Sequence, residues 1–175
     1  MTSEKKFWAI TAVFAVLFAY GIFNVFKPDI PPLSFVRGTV REISPGILVG
    51  PYPSDSEMSR LKAMGVRVVI SLMDPTSQVE SMLVAEGKTR AEGYGMEYHG
   101  FPMKIIGIES DGNIVMAQEA VRLALSSDGR KVYVHCYLGR HRASIFEREF
   151  IREKAKMAQD EVGPGLKAQE ATPPR

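Results

Sequence analysis

The sequence contains few of the residues from which disulfide frameworks and metal centres are built. It has one cysteine and three histidines among 175 residues. A single cysteine excludes an internal disulfide and any cysteine-rich zinc or iron–sulfur site. The charge is nearly balanced, with 22 basic and 20 acidic residues, and so gives no indication of nucleic-acid binding. We therefore expect no metal site and no nucleic-acid partner.

The composition is otherwise that of a globular protein. Hydrophobic residues make up 45% and charged residues 24% of the chain, which excludes a wholly disordered or collagen-like protein. The length favours one domain with an appendage. The predicted organisation is a short N-terminal tail (residues 1–6), a transmembrane anchor (7–26), a linker (27–40), a catalytic domain (41–160) and a disordered tail (161–175).

The N-terminal apolar segment predicts a single-pass membrane protein. Residues 7–26 carry no charge, and as a helix they span roughly 30 Å, the thickness of a bilayer's hydrocarbon core. The alternative is a cleaved signal peptide, whose apolar region is usually shorter. Here apolar residues continue beyond Ala19 and Gly21, where cleavage would occur. The basic head resembles a signal anchor, so we expect the catalytic domain outside the cytoplasm, with a cytoplasmic domain as the alternative.

The remaining chain alternates between predicted strands and helices. Strand–helix alternation indicates an α/β fold with a mainly parallel sheet flanked by helices, and such sheets bind ligands at the carboxyl ends of their strands. The predicted strands are Ile47–Gly50, at the edge of the sheet, Arg67–Leu72, Met96–Phe101 and Lys131–His135. Four helices are predicted. The first runs from Ser54 or Asp55 to Met64, and the second ends at about Glu92. The third begins at Ser110 or Asp111, and the fourth runs from Ala143 to about Gln159.

The only cysteine lies between a predicted strand and a predicted helix. Backbone amides of such a loop, together with the positive end of the helix, form a cradle for an anion. Arg142 offers a planar fork to two oxygens of a phosphate, and Gly139 permits a tight backbone turn. Near an arginine and a helix N-terminus the thiolate of Cys136 is favoured, which makes it a nucleophile for displacement at phosphorus. The predicted phosphate-binding residues are Tyr137, Leu138, Gly139, Arg140, His141 and Arg142.

These residues resemble the signature of the cysteine-based protein tyrosine phosphatases, His-Cys-x5-Arg with a glycine three after the cysteine. His135, Cys136, Gly139 and Arg142 all match. Upstream, the segments GILVGPYPS (46–54) and LKAMGVRVVISL (61–72) are similar to the opening of the small dual-specificity phosphatases. The stretch Gly139–Arg142 resembles the atypical plant-and-fungal branch, some of whose members attack inositol pyrophosphates. The resemblance covers about residues 36–160.

The resemblance implies a protein tyrosine phosphatase-like fold and a hydrolase that works through a phosphocysteine intermediate. It implies no metal or other cofactor. The implied substrate is a phosphorylated protein (phosphotyrosine, phosphoserine or phosphothreonine) or an inositol phosphate. His135 is expected to support the loop rather than to act as a base.

Two positions depart from the family pattern. The family has serine or threonine directly after the signature arginine, whereas here Ala143 follows and Ser144 comes one later as a supporting residue. Where the family has an acidic loop residue, this sequence has Lys104. We expect Asp111, ahead of Glu109, to protonate the leaving oxygen. The departures leave a catalytically weak, phosphate-binding pseudophosphatase as the alternative function.

Overall fold

The structure is a computed structural model that describes residues 3–26, 31 and 33–169. Its centre is one sheet of five strands: β1 (Arg41–Ser44), β2 (Ile47–Pro51), β3 (Val66–Ser71), β4 (Glu97–Gly100) and β5 (Lys131–Cys136). The strands lie in the order β1-β2-β5-β3-β4. All neighbours pair in parallel except β1, which pairs antiparallel with β2.

Three helices connect the parallel strands: α2 (Asp55–Ala63), α3 (Glu80–Gly93) and α4 (Asp111–Leu125). Helix α1 (Ser3–Phe26) and a 3₁₀ turn at Leu33–Phe35 precede the sheet, and α5 (His141–Gln169) follows its last strand. The start of α2 shows why the sequence folds this way locally. Ser54 and Glu57 form a capping box, in which each side chain accepts a hydrogen bond from the other residue's backbone amide.

The two faces of the sheet are covered by different helices. Val49, Ile70 and Val134 point to one face and pack with residues of α4 and α5. Their neighbours along the strands point to the opposite face, because side chains alternate along a strand, and pack with residues of α2 and α3. The strand interiors are therefore apolar on both sides, as buried parallel strands require. The predicted fold class, a mainly parallel sheet flanked by helices, is confirmed.

The predicted edge position of the strand at Ile47–Gly50 is wrong. β2 lies inside the sheet, between β1 and β5. The true edge strand is β1, whose sequence REIS is short and polar and so lacks the apolar run that marks a strand. Helix α5 extends to Gln169, beyond its predicted end near Gln159 and into part of the predicted tail. Residues 170–175 of that tail lie outside the described residues, as do residues 27–30 and 32 of the predicted linker.

Helix α1 is long and apolar enough to cross a membrane. The segment Glu4–Asn24 has 21 residues and a mean hydropathy of 1.8. Large apolar side chains along it are exposed, among them Phe14 and Phe18, whose exposed fractions are 69% and 72%. A signal sequence can have the same length and apolar composition.

Candidate active site

The loop after β5 lies at the carboxyl edge of the sheet, where the fold predicts a ligand site. Cys136, the last residue of β5, is opposite Pro51 at the end of β2. On the other side, the amide of Leu72 donates a hydrogen bond of 2.8 Å to the carbonyl of His135. The start of the loop is therefore held between β2 and β3, the two strands that flank β5.

Three successive carbonyl oxygens of the loop are turned outward. Those of Tyr137, Leu138 and Gly139 accept hydrogen bonds, at 3.2, 2.8 and 3.4 Å, from the amide of Tyr52, the amide of Gly38 and Nη1 of Arg41. In a planar trans peptide, the next residue's N–H points opposite to the carbonyl. The amides of Leu138, Gly139 and Arg140 therefore face the inside of the loop, in the arrangement that binds anions.

Gly139 is the position at which this loop requires glycine. Its φ is +69°, a conformation that other residues rarely adopt. A Cβ at this position would lie 2.4 Å from the nitrogen of Pro51 and 2.5 Å from the carbonyl carbon of Gly50. The loop therefore packs directly on the backbone of β2, and no larger residue fits without displacing it.

Arg142 is buried at the start of α5 and is held by a carboxylate. Its Nη1 and Nη2 donate hydrogen bonds of 2.8 and 2.5 Å to the two oxygens of Glu80. Nη1 also lies 3.3 and 3.2 Å from the carbonyl oxygens of Leu72 and Met103. Both side chains of the ion pair are at least 95% buried. The guanidinium is thus fixed in one position by four hydrogen bonds.

The surroundings keep Arg142 charged. Burial alone would lower the pKa of Arg142, but hydrogen bonds and charge from Glu80, with an added contribution from Cys136, raise it above its usual range. Arg142 and Cys136 line the same small cavity. The nucleophile and the cation predicted from the motif therefore face one space.

Glu80 is a site residue that sequence reasoning missed. It opens α3, and one of its oxygens also accepts a hydrogen bond of 2.8 Å from the amide of Asp74. No fixed spacing links Glu80 to the loop that carries Arg142, so the motif gives no indication of it. The sequence could have indicated only that an acidic residue pairs with Arg142, because a buried arginine needs a carboxylate partner.

His135 is fully enclosed between two tyrosine rings. Its ring centroid lies 5.8 Å from that of Tyr52 and 5.9 Å from that of Tyr133. Burial, assisted by the positive charge of Arg142, lowers the pKa of His135 to about 3. The imidazole is therefore neutral in the physiological range, which fits a supporting role rather than proton transfer.

A cavity of about 100 Å³ opens over Cys136. Its described lining consists of Glu80, Ile105, Ile108, Cys136, Tyr137, Leu138, His141 and Arg142. Ile105 and Ile108 come from the segment between β4 and α4, in which sequence reasoning placed the acid. Among the described lining residues the only carboxylate is Glu80, which Arg142 already engages.

The two predicted acids are not among the described residues that line this cavity. Asp111 is exposed at the first position of α4. Glu109 is exposed and accepts hydrogen bonds of 3.2 and 2.7 Å from Arg148, which lower the pKa of its carboxyl. The structure thus brings Cys136 and Arg142 together, but it does not bring Asp111 or Glu109 to them.

Lys104 occupies its own polar cluster next to the cavity. Its Nζ lies 2.8 Å from a carboxylate oxygen of Asp74 and 2.8 Å from the hydroxyl oxygen of Thr76. Burial alone would raise the pKa of Asp74, but hydrogen bonds from Lys104 and Thr76 hold it below its ordinary value. A carboxylate held this way has no proton to give at neutral pH.

The predicted supporting residue Ser144 points away from the sulfur. Its hydroxyl lies 2.8 and 2.9 Å from the carbonyl oxygens of Arg140 and His141, within the first turn of α5. Ala143, at the position of the family's hydroxyl residue, is fully buried. Arg140 and His141 are exposed at the rim of the loop.

With this geometry in place, the fold can be compared with solved structures. Two crystal structures of a protein from Shewanella putrefaciens, named "Putative phosphatase (DUF442)", align with TM-scores of 0.55 and 0.54 at 23% and 21% identity. The alignments cover 71% and 73% of this chain and 76% and 77% of that protein. This likeness shows a shared fold.

A weaker similarity concerns the fungal branch. The core catalytic domain of the PP-IP phosphatase SIW14 from S. cerevisiae aligns over 63% of both chains with a TM-score of 0.49 and 14% identity. The plant-and-fungal branch therefore stays a prediction from the motif. Neither the protein-family models nor the curated proteins give a match to this chain.

Proposed function

We propose that the protein is a cysteine-dependent phosphatase that hydrolyses phosphomonoesters. Sγ of Cys136, as a thiolate, attacks phosphorus, and the bond from phosphorus to the ester oxygen breaks. The phosphoryl group passes to sulfur, and the leaving oxygen takes up a proton from water. A second water molecule then attacks phosphorus, the phosphorus–sulfur bond breaks, and inorganic phosphate leaves while Cys136 returns to its thiolate. The name of the Shewanella protein with the same fold is consistent with this activity.

The observation that carries the proposal is the buried Arg142–Glu80 pair beside Cys136. The pair fixes the guanidinium at the small cavity that Cys136 also lines, so its position is set before a ligand binds. An anion bound there meets the inward amides of the loop. Fixed donors of this kind stabilise the equatorial oxygens of a phosphoryl group in the transition state.

The lining of the Cys136 cavity keeps a second candidate open. A pseudophosphatase that binds phosphate without turnover is favoured by Ala143 and by the lack of an available carboxylate among the described lining residues. Expulsion of an alkoxide without an acid is slow, because general acid catalysis contributes about 10²–10⁴-fold. An aryl oxide leaves with much less help, so it provides the fairer test of turnover.

The test is the hydrolysis of an aryl phosphate, p-nitrophenyl phosphate, by the full chain in detergent micelles. We expect a burst of nitrophenol followed by steady release, and no release from Cys136→Ser, which retains the loop and its amides. No release, or a burst without steady turnover, supports the pseudophosphatase. Undiminished turnover in Cys136→Ser would show that Cys136 is not the nucleophile.

We further propose that α1 is an uncleaved anchor and that the domain lies outside the cytoplasm. Length and hydropathy support the anchor, and the orientation is inferred from the basic head, Lys5 and Lys6, which resembles that of a signal anchor. An alkaline phosphatase reporter fused after residue 40 should be active in bacteria. An inactive fusion, with an active cytoplasmic reporter at the same site, reverses the orientation. A mature chain that begins after residue 19 or 21 identifies a cleaved signal peptide instead.

A further inference from the structure

Large apolar side chains are exposed at the carboxyl edge of the sheet, the edge that carries the catalytic loop. Ile106 is 92% exposed and Phe35 is 80% exposed. These side chains come from three separate segments, which are the stretch before β1, the start of α3 and the loop after β4. We name this surface the edge patch, and its members are Phe35, Val36, Val79, Met82, Ile105 and Ile106.

Contacts with the catalytic loop and its cavity place all three segments at this edge. The stretch before β1 reaches the loop through Gly38, whose amide donates a hydrogen bond of 2.8 Å to the carbonyl of Leu138. The start of α3 reaches it through Glu80, which pairs with Arg142. The loop after β4 contributes Ile105 to the lining of the cavity over the nucleophile. The edge patch is therefore built around the catalytic loop.

The concentration of apolar side chains at this edge is unusual. The edge patch contains six of the eleven large apolar side chains beyond α1 that are exposed in the described part of the chain. Met64, which follows α2, lies at the opposite edge, and others are spread along α4 and α5. Single exposed apolar residues are ordinary, whereas a group at one edge marks a surface that binds a protein or a membrane.

The path of the chain from α1 identifies the partner as a membrane. The hydroxyl of Tyr20 donates a hydrogen bond of 2.5 Å to the carbonyl of Pro31, so the chain returns to the last two turns of α1. From Pro31 to Phe35 the chain extends at most about 14 Å. β1 then begins at the carboxyl edge, because it runs antiparallel to β2 with Arg41 opposite Val49. A bilayer spanned by α1 is therefore close to the edge patch and far from the opposite edge.

We propose that the edge patch rests on the bilayer in which α1 is anchored, so that the cavity over Cys136 opens at the membrane surface. Phe35, Ile105 and Ile106 enter the boundary between headgroups and acyl chains, where surface-bound segments bury their apolar side chains. The anchor alone holds the domain near the bilayer in any orientation, whereas the edge patch selects one orientation. The inference rests on the proposed uncleaved anchor and is independent of the phosphatase chemistry.

Quenching of tryptophan fluorescence by brominated lipid tests the contact. Trp8 is the only tryptophan, so Trp8→Phe removes the background and Ile106→Trp then places one indole in the edge patch. The full chain is reconstituted in phosphatidylcholine vesicles, with and without bromine near the headgroup end of the acyl chains. We expect the brominated lipid to quench Ile106→Trp. Met64→Trp is the matched control at the opposite edge and should keep its fluorescence.

Trp8 in the wild-type chain separates the edge patch from the anchor. Quenching of Trp8 without quenching of Ile106→Trp overturns the docking, supports the anchor and leaves the edge patch to a protein partner. An unquenched Trp8 contradicts the anchor and the docking together. Equal quenching of Ile106→Trp and Met64→Trp also overturns the docking, because the domain then has no fixed orientation. Hydrolysis of p-nitrophenyl phosphate is measured separately, and its absence contradicts only the proposed phosphatase.

A charged substitution tests whether the segments form one surface. Met82→Asp adds a carboxylate to the first turn of α3, where the helix dipole favours negative charge, so the fold should be preserved. In the Ile106→Trp chain it should reduce quenching, because a carboxylate loses hydration among lipid. Met157→Asp, at an exposed position of α5 about 24 Å from its start, is the control and should leave quenching unchanged. If the two variants behave alike, the edge patch is not one docking surface.

Discussion

The loops that follow β5 and β4 lie at the same edge of the sheet, yet they are built differently. The first, Cys136–Arg142, is fixed by backbone hydrogen bonds on both sides and by a buried ion pair. The second, residues 101–110, is anchored mainly through Asn113, whose side chain bonds the backbone of Lys104 and Ile108, and it exposes Ile106. The predicted nucleophile and cation are therefore brought together in one cavity, whereas neither predicted acid is among its described lining residues.

Among changes that leave Cys136 in place, the largest effect is expected when Arg142 in the first loop is replaced. Arg142→Lys should lower kcat for p-nitrophenyl phosphate about 10²–10³-fold, the usual effect of losing a fixed donor to a transition-state oxygen. Lysine keeps the charge but cannot present two parallel donors or maintain the bidentate contact with Glu80. Steady-state kinetics measures the change. Arg67→Lys, at an exposed position of β3, serves as the control. If Arg142→Lys keeps a kcat near that of the wild type, Arg142 does not stabilise the transition state.

A smaller effect is expected when the support of that cation is weakened. Glu80→Gln keeps the shape of the side chain but removes its charge, so Arg142 loses its fixed position. We expect kcat to fall about tenfold, equivalent to about 1.4 kcal/mol in the barrier. The matched control is Glu86→Gln on the same helix, whose carboxylate is exposed and pairs with Arg90. If the two variants behave alike, Glu80 has no special role in positioning.

The burial of His135 predicts a dependence of stability on pH. Its pKa in the folded chain is about 3, below the ordinary value of 6.5, so between these values the unfolded chain binds a proton that the folded chain does not. The free energy of unfolding should therefore decrease as the pH falls from about 6.5 towards 3, by about 1.4 kcal/mol per pH unit from this group.

Thermal unfolding at pH 7 and pH 5 measures this dependence. His135→Gln should show a smaller loss of stability over the same interval, because glutamine does not titrate. The control is His99→Gln, at a half-buried position of β4, which should retain the wild-type slope. A steep slope that His135→Gln leaves intact would mean that other groups cause the acid sensitivity.

The smallest effect is expected from the two predicted acids, Glu109 in the second loop and Asp111 at the first position of α4. Because Asp111 and Glu109 are absent from the described lining of the Cys136 cavity, Asp111→Asn and Glu109→Gln should change kcat/KM little for either an aryl or an alkyl phosphate. The wild type itself should hydrolyse phosphoserine far more slowly than p-nitrophenyl phosphate, since an alkoxide needs an acid. If Asp111→Asn lowers kcat/KM for phosphoserine but not for p-nitrophenyl phosphate, Asp111 is the acid.

The contrast between the loops also explains what could be predicted from the sequence. The groups around Cys136 come from one short stretch, so their spacing alone predicts that the cysteine, the glycine and Arg142 meet. Glu80 and Arg41 reach the same loop from distant parts of the chain, and only the sheet order brings them there. β1 was not predicted because its four residues have no apolar pattern. Without β1, β2 was wrongly placed at the edge of the sheet.

The central claim is that Cys136 carries the phosphoryl group between two chemical steps. Rapid acid quench of the full chain during turnover of p-nitrophenyl phosphate, followed by mass spectrometry of the peptide that contains Cys136, measures this directly. We expect that peptide to gain the mass of one phosphoryl group within the burst, and we expect no gain in Cys136→Ser. Steady turnover with an unmodified Cys136 peptide at every quench time, or a phosphoryl group found on another residue, would contradict the mechanism.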